Sequence, residues 1–335
     1  MFCRSLNLFV IINISQTRLK RLIMENYSQV SYFFLVAYFD TGIFKYLYFL
    51  LIMTLYVLVI TANVFLIVLI CVNRSLHEPM YLFLCSLFVN ELLGSTGLFP
   101  LLLLQILTDV HTISVSHCFL QMFCLFLYAC VEFASLALMS YDRYLAICFP
   151  LQYNTVLTYN KVAVLIAVSW FCSFIAIIIP TSLSAPLRLC GNIIQKVYCD
   201  NFSIVKLACS DTTVNNIYGL VGTSVAVLGP LTLIVYTYTR ILKVCFSGSK
   251  QTRHKAFSTC TPHLASLLNY AFGVCFEISR FNMNNVHNTL KIFLSIYWLT
   301  CQPLFNPLMY GLNMSKIQLN TEYDIYLIHY SKLQD

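Results

Sequence analysis

Seven separate stretches of this chain are each long and apolar enough to cross a lipid bilayer, and nothing else in the sequence constrains the fold as tightly. A span needs about 20 mostly apolar residues. Such runs fall at about 46–72, 80–104, 118–146, 162–182, 214–241, 256–276 and 290–312. In hydrocarbon the backbone finds no water, so each run must close its hydrogen bonds internally as a helix. The expected fold is all-α, a seven-transmembrane helix bundle. The joints are polar or turn-rich: Asn73-Arg74-Ser75, Thr108-Asp109, Pro150 to Tyr153, and Lys250 to Lys255. Composition excludes a soluble domain, with 59% hydrophobic and 10% charged residues against roughly 45–50% and 25% in globular chains. No internal repeat or low-complexity linker divides the chain. One membrane domain (46–312) is expected between an N-terminal segment (1–45) and a tail (313–335).

Orientation follows from Lys and Arg, which gather on the cytoplasmic side. Arg240, Lys243, Lys250, Arg253 and Lys255 lie together with no acidic residue among them, and Arg74, Arg143 and Lys161 fall on the same side. Asp109, Asp200, Asp211 and Glu277 lie opposite, mixed with Arg188, Lys196, Lys206, Arg280 and Lys291. With seven spans, the N-terminus is expected outside and the C-terminus in the cytoplasm. The formal charge of +7 is this bias plus a basic leader, so nucleic acid is not an expected partner.

The leader fits that orientation poorly, because Arg18, Lys20 and Arg21 precede an exported segment. Two readings remain: Leu6 to Ile14 is a weak signal-peptide core, or the chain starts at Met24, which the residues favour. Asn26-Tyr27-Ser28 matches the glycan acceptor pattern on the outer side, making Asn26 a candidate glycosylation site. Asn201-Phe202-Ser203 matches as well, whereas Asn73 and Asn313 fall on the cytosolic side.

The third run ends in Met139-Ser140-Tyr141-Asp142-Arg143-Tyr144-Leu145-Ala146-Ile147-Cys148. A charge at a helix centre costs about 2.5 to 3.5 kcal/mol on insertion scales, so Asp142 and Arg143 belong at the membrane boundary. There the pair is either a snorkelling anchor or a switch that alters the cytosolic surface when Arg143 leaves Asp142; the tripeptide alone does not separate the two. Most of the fifteen cysteines lie inside spans, where Cys acts as a small apolar residue. Cys118, Cys190, Cys199 and Cys209 lie on the outer side instead. Four thiols in an oxidising compartment most simply form two bridges, and their spacing leaves three pairings open.

Two carboxylates carry the other chemical signal. Glu132 precedes Arg143 by eleven residues on one face, about 16 Å deeper, and Glu91 lies at similar depth in the second span. Acids at one level in neighbouring helices imply a centre that holds a cation, or carboxyls that are neutral and hydrogen-bonded. In the seventh span Asn306-Pro307-Leu308-Met309-Tyr310 places Asn306 and Tyr310 on one face, while Pro307 frees a backbone carbonyl. That helix end is a plausible moving part.

Together these pieces resemble the rhodopsin class of G-protein-coupled receptors, and within it the odorant receptors. The matching segments are Leu76-His77-Glu78-Pro79-Met80-Tyr81, Met139 to Cys148, Pro150-Leu151-Gln152-Tyr153, and Leu207-Ala208-Cys209-Ser210-Asp211-Thr212. Thr237-Tyr238-Thr239-Arg240-Ile241, Lys255-Ala256-Phe257-Ser258-Thr259-Cys260 with His263-Leu264, and Pro303-Leu304-Phe305-Asn306-Pro307 with Tyr310 extend the likeness over about 46–316. The resemblance implies that Arg143, with Asp142 and Tyr144, engages a heterotrimeric G protein when span six swings away, and that Tyr238 and Tyr310 hold the open state. It implies Cys118–Cys199 and Cys190–Cys209 bridges, and a sodium-type site at Glu91 and Glu132 as the one candidate bound ion. It also implies a multi-pass plasma-membrane receptor that raises cAMP. Position 91 departs from the common pattern, which has Asp. Thr261-Pro262 stands before His263 where a Ser is usual, and Gly311-Leu312-Asn313-Met314 lacks the usual Arg; both resemble the fish-type branch. The tail, with Glu322 and Asp324 and few basic residues, reads as a poor amphipathic helix.

The ligand is less legible. Leu120-Gln121-Met122-Phe123-Cys124-Leu125-Phe126 has no acid to pair an ammonium group, which disfavours a small amine. Phe126, Ala129, Cys130, Gly222 and Phe272 are candidates for a small apolar pocket, and each also reads as plain helix packing. Glu277, Arg280 and Lys291 form either a charged lip or a solvated loop. A retinal pump would need a Lys midway along span seven, and Lys291 lies only at its start. Repeat symmetry for a transporter and motifs for an enzyme are missing. The expected ligand is a small odorant, the expected surroundings membrane lipid. A receptor of this class for a hormone or other non-odorant ligand is the alternative, separable by the tissue in which the transcript is found.

Overall fold

The computed structural model describes residues 30–38, 42–248, 250–279 and 288–313. Seven long helices run through it: α1 Lys45–Val72, α2 Pro79–Leu107, α3 Val115–Cys148, α4 Tyr159–Ser184, α5 Thr213–Ser247, α6 Lys250–Ser279 and α7 Asn288–Asn313. The first five are plainly long and apolar enough to cross a membrane. The other two carry more polar residues, Lys250, Arg253, His254, His263 and Asn269 in α6 and Asn306 and Gln302 in α7, and pack along each other and against α1, α2 and α3. Every expected run lies within a helix. Asn26, the alternative start at Met24, the tail 314–335 and Arg280 lie outside the described residues.

One expectation needs correction. The polar joint expected at Lys250 to Lys255 lies within α6, which begins at Lys250, and α5 runs to Ser247, past the expected end of its span at 241. Nothing from 241 to 247 breaks a helix, and long basic stems can leave the bilayer while the backbone stays wound. The expected all-α bundle is present, and one small sheet accompanies it. A three-stranded sheet caps one end, in the order β2-β1-β3, with β1 Tyr32–Leu35, β2 Thr112–Ser114 and β3 Ile193–Ile194. β1 pairs antiparallel with β2 and parallel with β3. Its alternation turns Phe33 and Leu35 inward onto Ile113, Met122, Ile194 and Ile204, while Tyr32 and Phe34 face out. A period of two over four residues is too short a signal to read from sequence.

Without a hydrophobic drive between helices in lipid, close packing and interhelical hydrogen bonds must hold the bundle. Gly273 of α6 shows the first: a Cβ there would come within 2.5 Å of Trp298 Cβ on α7. Gly94 of α2 likewise leaves room for the Tyr128 ring of α3, which stacks on Trp298 at 5.9 Å. The second appears where Trp170 Nε1 donates to Ser86 Oγ (2.9 Å), tying α4 to α2, and where Tyr270 OH donates to the Ala129 carbonyl (2.8 Å), tying α6 to α3.

Candidate functional site

Midway along the bundle, one polar cluster joins α2, α3, α6 and α7. Glu91 and Glu132 are both fully buried, and the Asn306 amide bridges them, donating to Glu91 Oε1 and to Glu132 Oε1 (2.9 Å). Gln302, one turn earlier on α7, donates to Glu132 Oε1 at 3.3 Å and lies 3.1 Å from Asn306 Oδ1. Asn90 donates to Glu132 Oε2 (3.2 Å), and Ser266 donates to Asn306 Oδ1. The depth matching of the two acids therefore corresponds to a contact through one shared amide. Asn90 and Gln302 were missed, although both were legible: Asn90 precedes Glu91, and Gln302 is at i−4 from Asn306.

Pro307 explains another partner. Without an N–H it cannot bond the carbonyl four residues back, and that carbonyl, Pro303 O, accepts instead from Asn63 Nδ2 of α1 (2.8 Å). Asn63 is fully buried. The weak point of α7 is thus held by a side chain from another helix, and Tyr310, a turn beyond Asn306, is buried below it.

At the far end of α3, Arg143 donates to Asp142 Oδ2 through Nε (3.0 Å) and Nη2 (2.7 Å). Asp142 Oδ1 accepts from Tyr153 OH at 2.7 Å. Tyr153 opens the one-turn helix Tyr153–Val156 in the loop between α3 and α4. Burial first, then the Asp142 charge, push its phenol pKa upward, so it stays a donor. Beside this lock, His263 Nε2 is 2.9 Å from the Leu136 carbonyl, so that nitrogen must carry the proton. Nδ1 is then the acceptor for Tyr238 OH at 2.5 Å. The α3 carbonyl, α6 imidazole and α5 phenol form one chain of hydrogen bonds. Tyr144 turns the other way, edge-on to Phe149 (5.5 Å) and Tyr236 (6.0 Å).

At the opposite end, Cys118 is joined to Cys199 and Cys190 to Cys209. The loop between α4 and α5 is further held by Gln121 of α3, whose Oε1 accepts from the Cys199 N–H (2.9 Å). Lys196, only 5% exposed, bonds Asp200 at 3.1 Å and Glu277 at the end of α6 at 2.6 Å. Glu277 is therefore engaged with this loop instead of standing in an open lip. Nothing in the sequence marked Lys196 out, because ion pairing across 81 residues leaves no local pattern. Asn201, in the second glycan-type triplet, is occupied by a bond from Ser184 Oγ (2.7 Å).

The five pocket candidates have different neighbours. Phe272 is 51% exposed and packs edge-on against Phe276 and Tyr297. Gly222 faces Tyr218 of its own helix, and the Ala129 carbonyl serves Tyr270. Phe126 is 37% exposed and Cys130 half-buried. These contacts do not draw the five round a single cavity.

The family model described as olfactory receptor matches residues 52–323. Among similar proteins, olfactory receptor 6E1 of Mus musculus is 33% identical over 317 residues, covering 93% of this chain and 98% of its own length. Olfactory receptor 10A5 of Homo sapiens is 34% identical over 88% of this chain and 93% of its own. Olfactory receptor 52N2 of Homo sapiens is 36% identical over 79% and 84%. The matched region runs from within α1 to beyond the end of α7 and includes the bridged polar core and the Asp142-Arg143-Tyr144 end of α3, and the chain belongs to the olfactory receptor family, whose members are multi-pass plasma-membrane receptors and not enzymes.

Proposed function

We propose that this receptor senses a small odorant in the half of the bundle beneath the disulfide-bonded cap and activates a heterotrimeric, cAMP-raising G protein at the Arg143 end. The Lys and Arg bias supports a cap outside and an Arg143 end in the cytoplasm. The single observation that carries the reading is the pair of breakable links at that end: Asp142–Arg143 with Tyr153, and Leu136–His263–Tyr238. Both close α3 to its neighbours. An outward swing of α6 removes His263 from Leu136, frees the Tyr238 phenol and opens the space beside Arg143. Asn306 and Pro307 set how easily α7 follows, because the same Asn306 amide holds both carboxylates.

A sodium ion fits the polar core. Two carboxylates converge among neutral amides, and the second Glu91 oxygen and Ser95 Oγ, one turn apart on α2, are buried without a hydrogen bond of good geometry. Glu91, Glu132 and Ser95 would hold it as hard oxygen donors, and it would supply the positive charge that lets both carboxylates stay ionised. Among the described residues no group of three or more His, Cys, Asp or Glu offers a site for another metal.

The test is expression with an olfactory G protein and a screen of odorant mixtures by cAMP. An odorant that raises cAMP in cells with the unmodified receptor but not with Arg143→Ala supports the reading. A full response by the variant at equal surface level overturns it.

A further inference from the structure

We infer that the groove between the inner ends of α3 and α5 is a headgroup site for an anionic phospholipid of the cytoplasmic leaflet. The groove holds about 500 Å³, with Tyr144, Cys148 and Phe149 on its α3 wall and Arg240, Lys243 and Ser247 on its α5 wall. The last three follow each other at i, i+3 and i+7, so they share one face of α5 along about 10 Å, the span of a phosphorylated headgroup and its glycerol. No acidic side chain among the described residues lines the groove. Among the described residues, none of the ion pairs uses Arg240 or Lys243. Two cations around an acid-free hollow are suited to a phosphate, while the Ser247 hydroxyl donates to the Lys243 carbonyl of its own helix. Arg supplies a planar fork for its oxygens and Lys a point charge.

Position separates a lipid from a soluble protein as the occupant. Tyr238, facing His263 of α6, looks into the bundle. Arg240 is two residues on, about 200° round the helix, and so faces away from the cleft that α6 would open. Towards the membrane centre the same side of α5 presents Tyr236, exposed at i−4 from Arg240, and Leu233, half-buried at i−7. Acyl chains lying on that surface bring their headgroup to Arg240 and Lys243. Tyr144, Phe149 and Tyr236 form an aromatic collar at the level where Tyr and Trp gather in membrane proteins. Since Tyr144 is a wall of the groove and the neighbour of Arg143, a lipid bridging α3 and α5 bears directly on the coupling end.

The inference rests on the orientation given above, but its test needs neither agonist nor G protein, so it fails separately from that reading. The full chain in phosphatidylcholine nanodiscs is titrated with a fluorescent phosphatidylinositol 4,5-bisphosphate, with dioleoyl phosphatidylserine and inorganic phosphate as competitors. Saturable binding, displaced by phosphatidylserine but not by inorganic phosphate, is expected. Each basic residue near the surface is worth about fivefold, so Arg240→Gln with Lys243→Gln should weaken binding about thirtyfold. Lys161→Gln, an exposed cation on the same side of the membrane but outside the groove, should leave it within about twofold. Circular dichroism checks that each variant remains helical. Unchanged binding by the double variant, equal loss in Lys161→Gln, or displacement by inorganic phosphate would each overturn the lipid site.

Discussion

Cys118 and Arg143 stand on the same helix, about 37 Å apart along its axis, and the bundle is closed differently around each. Near Cys118, α3 is joined to the α4–α5 loop by a covalent bond, by Gln121 and by a three-stranded sheet, with a second bridge inside the loop. Near Arg143, among the described residues, the links are one ion pair between adjacent residues and the hydrogen bonds Tyr153–Asp142, Thr237–Ser140, His263–Leu136 and Tyr238–His263. One end resists change of shape, whereas the other can exchange partners at little cost. A receptor needs both, because a ligand-induced strain is transmitted only if one end cannot absorb it.

The largest expected effect lies at the exchangeable end. Arg143→Ala should abolish agonist-driven cAMP while surface level, measured by labelling intact cells, stays near normal, because Asp142 keeps Tyr153 as a partner. Normal signalling by the variant would make Arg143 an anchor and remove the asymmetry between the ends.

The pinned end predicts lost folding instead. In the chain-entropy picture a bridge stabilises more when it closes a longer loop. The 81-residue separation of Cys118–Cys199 corresponds to about 4.5 kcal/mol, and the 19-residue separation of Cys190–Cys209 to about 3 kcal/mol. Cys118→Ser should thus lower surface expression more than Cys190→Ser, and peptide mapping of the non-reduced protein should recover both bridges. Equal expression of the two variants, or a free Cys118, would show that the cap is held by its sheet and ion pairs alone.

Between the two ends lies the core, where the comparison can be sharpened. If Glu91 and Glu132 share sodium in the closed bundle, agonist should bind less tightly when sodium is present, by reciprocity of linked equilibria, typically a 5- to 150-fold coupling. Glu132→Gln should erase that dependence. Equal agonist potency in sodium and in a large organic cation, in the unmodified receptor, would assign the carboxylates to structure.

The helices were legible because the bilayer imposes both length and polarity on each span, so period and boundaries are written locally. The pairing of Glu91 with Glu132 was legible for a related reason: depth along a helix is countable. What escaped is contact between segments that meet only in the fold. Phe33 and Leu35 bury themselves in the cap through an alternation of four residues, and Lys196 finds Glu277 across α5 and most of α6. Asn63 reads as one polar residue in an apolar run until the carbonyl freed by Pro307 gives it a purpose. The joint expected at Lys250 to Lys255 is helical because Lys and Arg are good helix formers, so charge density there does not mark a loop.

Tyr153→Phe tests the exchangeable end most finely. It deletes a single hydroxyl whose bond to Asp142 Oδ1 is 2.7 Å long, and leaves both Arg143 bonds, which converge on Oδ2, in place. A hydrogen bond to a charged group is worth about 1.5 to 3 kcal/mol. Only the part of it lost on opening shifts the balance between closed and open bundles, so basal cAMP should rise about threefold to tenfold. Agonist potency should increase by a similar factor and maximal response should stay unchanged, because Arg143 itself is intact. If basal cAMP and potency both match the unmodified receptor, the phenol holds Asp142 equally well in both states. The Arg143 end would then be pinned at its loop as firmly as the other end is at Cys118, and the freedom to exchange partners would rest with the α5 and α6 contacts of Thr237, Tyr238 and His263.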